Sequence, residues 1–121
     1  MAQYVDGFVV PVPKSKKKAY IAMARKSARV WREHGALQYC EASGDDLNTK
    51  WAVPFPKRIK TKPGETIVFA WVVFKSRAHR DRVNAKVMKD PRIAAMMPAN
   101  KKPPFDMKRM VYGGFKVLVE A

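Results

Sequence analysis

The stretch TIVFAWVVF (Thr66–Phe74) carries no charge in nine residues, and its two parities do not separate apolar from polar side chains. In an extended chain Ile67, Phe69, Trp71 and Val73 fall on one side, and Val68, Ala70, Val72 and Phe74 on the other. A strand that is apolar on both sides is expected to be covered on both. The chain has only 121 residues, which makes one domain, residues 1–121, with one modest core. Helices can cover one face of a small sheet; the second face then needs something else.

Working outward, YVDGFVVPV near the start is rich in Val and aromatics and reads as a first strand, ended by Pro11 and Pro13. Its faces carry Tyr4, Phe8, Val10 and Val12 on one side and Val5, Val9 and Pro11 on the other. Ser15 is placed to cap a helix over Lys16–His34. Tyr20, Met23, Ala24, Ser27, Val30, Trp31 and His34 share one side of it, and Lys18, Arg25, Arg29 and Arg32 the other. Gly35 stops it. ALQYCEA predicts a second strand. The irregular stretch Ser43–Gly64 contains Pro54, Pro56 and Pro63, and short extended pieces are expected at Trp51–Phe55 and Arg58–Thr61. Glu65–Lys75 is the third strand, and Ser76 caps a second helix, RAHRDRVNAKVMKD, which ends before Pro91. Val83 and Val87 form its inward line, with His79, Arg80 and Asn84 on or beside it. After the irregular MMPANKKPPFD comes a last strand, RMVYGGFKVLV, in which Val111, Gly113, Phe115, Val117 and Val119 share a side. YVDGF and VYGGF each place a Gly-Phe pair in a strand, a faint echo between the two halves.

The order β-α-β-β-α-β defines an α+β class, the ferredoxin-like sandwich. Both helices of that arrangement pack on one sheet face. The other face is bare, and leaving its apolar side chains in water forfeits about 1.5–3 kcal/mol each. A second copy, apposed face to face about a two-fold axis, is the simplest cover, so the expectation is a homodimer through the sheet face. RNA stacking on that face is the rival reading. It fits poorly, because Tyr112 and Phe115 have opposite parity and the central strands interleave no basic residues with their aromatics.

Composition sets further bounds. The net charge is +15, from 25 Lys and Arg against 10 Asp and Glu. Residues 14–32 hold eight basic residues and no acid. This field attracts nucleic acid or acidic lipid without sequence preference, or serves only to keep the protein dissolved. No charge-free run approaches the roughly 18 residues of a membrane span. Asp6 within the first apolar run, and lysines after rather than before it, argue against a signal peptide. Cys40 is the sole cysteine, so no intrachain disulfide can form, and the chain reads as cytoplasmic.

YVDGFVVPVPK, VWREHGALQY, FAWVVFKSRAHRD, VNAKVMKDPR and KRMVYGGFKV together resemble the YbaA-like family of small uncharacterised bacterial proteins. The likeness runs along nearly the whole chain and is most specific in KSRAHRDRVNAKVMKDP. The resemblance implies a ferredoxin-like subunit that forms a dimeric α/β barrel, with no established activity.

No nucleophile elbow, phosphate-cradling Gly loop or spaced Cys/His ligand pair is legible, so no catalytic residue, metal ligand or cofactor is assigned. Gly44–Asp46 (GDD) reads as a turn rather than a metal site. His79 falls in the first turn of the second helix, where the dipole disfavours imidazolium, and a neutral ring there can act as base or donor. Arg80 and Asn84 can accompany it, binding an anion or carbonyl, and Trp31 and Trp71 can line a cavity between helix and sheet. These five residues are the candidate small-molecule site; the competing reading is ordinary core and solvated helix flank. His34, at a helix C-terminus, is expected to cap it.

Overall fold

The computed structural model describes residues 3–96 and 102–121. Its elements in chain order are β1 (Tyr4–Pro13), α1 (Lys17–Glu33), β2 (Gln38–Ser43), α2 (Phe55–Ile59), β3 (Glu65–Phe74), α3 (Arg77–Met88), α4 (Pro91–Met96) and β4 (Val111–Lys116). The strands form one antiparallel sheet in the order β2-β3-β1-β4. The class is α+β, with α1 and α3 on one face of this open sheet.

Register fixes which residues share a face. Tyr4 pairs with Phe74, Asp6 with Val72, Phe8 with Ala70 and Val10 with Val68; Tyr39 pairs with Val72 and Glu41 with Ala70. These residues lie on the helix side. There Val30, Val72, Phe74, Val83 and Val87 pack into one buried cluster, and Val10, Val12, Tyr20, Val68 and Phe105 into a second. The opposite face carries Val5, Val9, Phe69, Trp71, Val111 and Phe115. Phe69 is 45% exposed and Phe115 62% exposed in the single chain, whereas Val72 and Phe74 are at 2% and 0%. TIVFAWVVF therefore has one face sealed by its own helices and one open.

The inward side expected for α1 is the observed one: Tyr20 and Val30 are buried, and Met23, Ala24, Ser27, Trp31 and His34 are partly so. Gly35, at φ 118°, follows the helix in a conformation other residues avoid. Ser76 caps α3 as expected, its Oγ accepting the His79 N–H at 3.1 Å. At Gly114 a side chain would collide with the Tyr4 ring.

β1 ends at Pro13 as expected; Pro11 is accommodated within it because β4 pairs only with Tyr4–Val9 and leaves that flank without a strand. Four other expectations are corrected. Ser15 lies in a 3₁₀ turn (Lys14–Lys16), and α1 begins after it with no side-chain cap. Within 43–64 there is no strand past Ser43; Pro54 and Pro56 instead start the short helix α2, which ends at Lys60 in the left-handed region. Pro91 opens α4, with Asp90 at its start accepting the Arg92 N–H at 2.9 Å. The final strand stops at Lys116, leaving Leu118 and Val119 91% and 89% exposed. The irregular stretch expected after α3 falls in part on residues 97–101, outside the described residues.

Candidate functional site

Arg80 and Asn84 lie one turn apart on α3 and face β1. Arg80 Nη1 donates to Asp6 Oδ1 and to the Tyr112 hydroxyl, each at 2.8 Å, and its Nε donates to Asp81 Oδ1 at 2.8 Å. Its guanidinium carbon sits 4.9 Å from the Tyr4 ring centroid. Asn84 Nδ2 donates to Asp6 Oδ2 at 3.3 Å, and Trp31 Nε1 donates to Asn84 Oδ1 at 3.0 Å. Asp6 is 1% exposed. The result is a continuous chain from α1 through α3 into the central strand, and its hydrogen bonds are closed on themselves. It ties two helices to the sheet.

His79 belongs to a separate arrangement. Its Nδ1 accepts the Lys75 N–H at 3.0 Å, its ring meets Phe74 edge-on at 6.0 Å, and Nε2 faces Gly35. Burial, then the nearby positive charge of Lys75, lowers its pKa. The ring is thus neutral, as its place in the helix implies, and it is used to join strand end to helix start. Trp71 lies on the other face of the sheet, packed against Phe69 at 5.6 Å. The five residues named from sequence therefore do not share one pocket: Trp31, Arg80 and Asn84 come together, His79 stands beside them, and Trp71 is across the sheet.

The cleft on the helix side lies elsewhere. A space of about 330 Å³ opens between α1 and the β2–β3 edge, with Val12, Ile21, Ala24 and Val68 among its apolar lining and Lys17 and Arg25 at its rim. Its polar centre is Glu41. The Tyr20 hydroxyl donates to Oε1, and the Tyr39 hydroxyl donates to Oε2 at 2.7 Å. Burial, then the Glu41 carboxylate, pushes both phenols well up, so they remain donors. Tyr39 and Glu41 are two apart on β2 and so point the same way, toward α1. Among the described residues no Lys, Arg or His forms an ion pair with Glu41. Sequence reading missed Asp6 and Glu41. The available signal was an acid on the inward parity of a strand, Asp6 beside Tyr4 and Phe8, and Glu41 two after Tyr39.

A second, wider cleft of about 810 Å³ runs between α1 and α4, with Lys16, Lys26, Arg29, Arg92 and Lys102 in its lining and no aromatic ring among the described residues that line it. His34 is the C-cap residue of α1, as expected, its backbone N–H donating to the Val30 carbonyl at 3.1 Å, while its ring turns elsewhere. The ring nitrogen Nε2 is hydrogen-bonded to Asp90 Oδ2 at 2.8 Å, bridging the end of α1 to the start of α4. Arg92, then His34, holds the Asp90 carboxyl well below the usual range. Glu65 receives both terminal nitrogens of Arg109, at 2.6 and 2.9 Å. Asp45 and Asp46 form a bend, and no group of three potential metal ligands occurs among the described residues. No described helix is long and apolar enough to cross a membrane.

These features sit in a chain whose residues 3–107 match the family described as "Protein of unknown function (DUF1428)", and the protein belongs to that family. Within it, the chain is 42% identical over 118 residues to "Uncharacterized protein YbaA" of Escherichia coli strain K12, covering 98% of each chain. The YbaA of Shigella flexneri matches to the same extent. The resemblance read from the sequence is thus one of family. Among solved structures, the de novo designed protein Foldit4 aligns over 98% of this chain and 99% of its own at 10% identity and TM-score 0.48.

Proposed function

We propose that the protein is a cytoplasmic homodimer of ferredoxin-like subunits, apposed through their open sheet faces as a dimeric α/β barrel, that binds a small organic molecule in the cleft between α1 and the sheet. The observation that carries the ligand reading is the 330 Å³ cleft itself, apolar in most of its lining and holding one oriented carboxylate. Small-molecule sites are built this way, from an apolar wall with a few placed polar groups. Its location replaces the one expected around His79, where the side chains bond to each other.

The dimer is supported by the exposed apolar side chains on one face: Phe55, Phe69, Val111 and Phe115 are each more than two-fifths exposed in the single chain. A continuous patch of that kind on a soluble domain marks an interface. Sedimentation at micromolar concentration tests it, with twice the chain mass expected and a single-chain mass overturning it. The ligand reading is tested by thermal shift against a library of small polar metabolites, comparing wild type with Ile21→Trp, which fills the cleft. Stabilisation seen in the wild type and lost in the variant supports the site; stabilisation equal in both removes it.

A second reading follows from the charged exterior. The cationic cleft between α1 and α4 and the outer face of α1 support sequence-indifferent attraction to nucleic acid. The described residues that line the cleft include no ring on which a base could stack. Binding to RNA is therefore expected to fall steeply with salt and to show no sequence preference; a preference that persists at physiological salt would raise this reading above the first.

A further inference from the structure

We propose that the α1–sheet cleft selects a small amphoteric molecule: a protonated amine seated on Glu41, an apolar body along Val12, Ile21, Ala24 and Val68, and an anionic end at Lys17 and Arg25. The inference rests on the reading of this cleft as a ligand site and adds which chemistry it takes.

In a chain with 25 basic and 10 acidic residues, a partly buried carboxylate without an ionic partner is unexpected. Among the described acids that are not exposed, Asp6, Glu65 and Asp90 are ion-paired and Glu41 is not. Glu41 receives two neutral phenols instead. One hydroxyl on each oxygen fixes the plane of the carboxylate and leaves acceptor capacity on both, since a carboxylate has about four lone-pair sites. A charged carboxylate in apolar surroundings is costly until a cation joins it. An ammonium supplies both the charge and the remaining donors, and its bond to a carboxylate is of the stronger, charge-assisted kind.

The rim has the opposite sign. Lys17 opens α1 and Arg25 lies about two turns further along it; both line the same cleft, and neither pairs with an acid among the described residues. A simple amine would meet their repulsion on entry; a molecule with a carboxylate or phosphate at its far end would not. The cleft volume lies at the small end of the range for ligand pockets, roughly 300–1,000 Å³, which limits the apolar body to a short chain or single ring.

The test uses three probes of one body length, 6-aminohexanoate, hexylamine and hexanoate, titrated by calorimetry or ligand-observed NMR at low salt. Expected is the order 6-aminohexanoate, then hexylamine, then hexanoate. Glu41→Gln keeps the shape and removes the charge. It should weaken 6-aminohexanoate and hexylamine by about tenfold or more and leave hexanoate unchanged. Lys17→Ala with Arg25→Ala should bring 6-aminohexanoate down to or below hexylamine. Ile21→Trp should abolish all three. If hexanoate binds as well as the amines, or Glu41→Gln changes nothing while Ile21→Trp still blocks, the cleft is a ligand site and the amphoteric assignment is wrong. If no probe binds, the amphoteric assignment is equally overturned, and the library comparison under Ile21→Trp separately decides the cleft. Binding that survives Ile21→Trp overturns both. Tyr39→Phe provides a folded control in which Glu41 keeps its charge and loses one orienting bond, with an intermediate loss expected.

Discussion

Asp6 and Glu41 are carboxylates on the same face of the same sheet, with opposite surroundings. Asp6 lies in the central strand β1 and is closed by a guanidinium and an amide, with Arg80 itself shared among Asp81, Tyr112 and the Tyr4 ring. Glu41 lies on the edge strand β2, is held by two neutral hydroxyls and borders an open space. The first has its charge and its hydrogen bonds satisfied within the protein. The second has its hydrogen bonds partly satisfied and its charge not at all. On the proposed reading, an inward-facing acid marks a ligand site when its charge is left unmatched beside a cavity, and a structural tie when a cation meets it.

The contrast is broken most directly at Asp6. Asp6→Ala leaves the partly buried Arg80 with Asp81 and Tyr112 alone and leaves Asn84 without its acceptor, and is expected to cost about 2–3 kcal/mol in denaturant unfolding. Adding Arg80→Met should recover most of that loss; a single-variant loss below about 1 kcal/mol would place Asp6 outside the structural tie. Phe69→Asp tests whether the open face is independent of both carboxylates. It should remove about 1.5–3 kcal/mol of apolar burial from each half of the interface and shift the sedimenting species toward single-chain mass, with probe binding at Glu41 retained. Ser76→Ala removes the cap that sets the start of α3, and a loss of about 1 kcal/mol is expected. Glu41→Gln should change stability by about 1 kcal/mol or less, since a neutral amide relieves the unmatched charge; a loss as large as that of Asp6→Ala would make Glu41 structural and erase the contrast.

Smallest is the response to mild acid. The folded state lowers the His79 pKa, so its contribution is whole above the ordinary histidine value of about 6.5 and is lost as pH falls through the lowered value. Asp90 and Glu65 are also held low, so their contributions are whole above about pH 5 and fade only as pH drops through the carboxylate range. Denaturation midpoints measured from pH 7 to 3 should therefore show a shallow fall and then a steeper one. Asp90→Asn should flatten the second part and leave the first; a profile that stays flat to pH 3 contradicts both shifts.

The fold was legible where physics is periodic. TIVFAWVVF, the inward line of α1 from Tyr20 to Val30, and Val83 with Val87 reveal their faces through spacing alone. The family was legible too, in KSRAHRDRVNAKVMKDP. The cleft was not. Trp71 was grouped with Trp31 because both are large aromatics, yet parity places Trp71 with Phe69, on the side away from Val72. Asp6 and Glu41 were passed over because single acids in apolar strands carry no motif; their meaning depends on what crosses over from α1 and α3. α2 and α4 were missed because proline was read as a stop, when at the first turn of a helix its missing N–H costs nothing.

The two prolines at the end of β1 bear on assembly. The Gln3 carbonyl accepts the Val117 N–H, so odd-numbered residues of β1 turn their polar backbone groups toward the β4 side. Pro11 and Pro13 have that parity and offer no donor where β4 has already ended. An invading strand from a neighbouring chain would find half a ladder at this corner and no register in which to settle. In the proposed homodimer, recruitment of the second subunit is thereby steered from this rim onto the broad apolar surface.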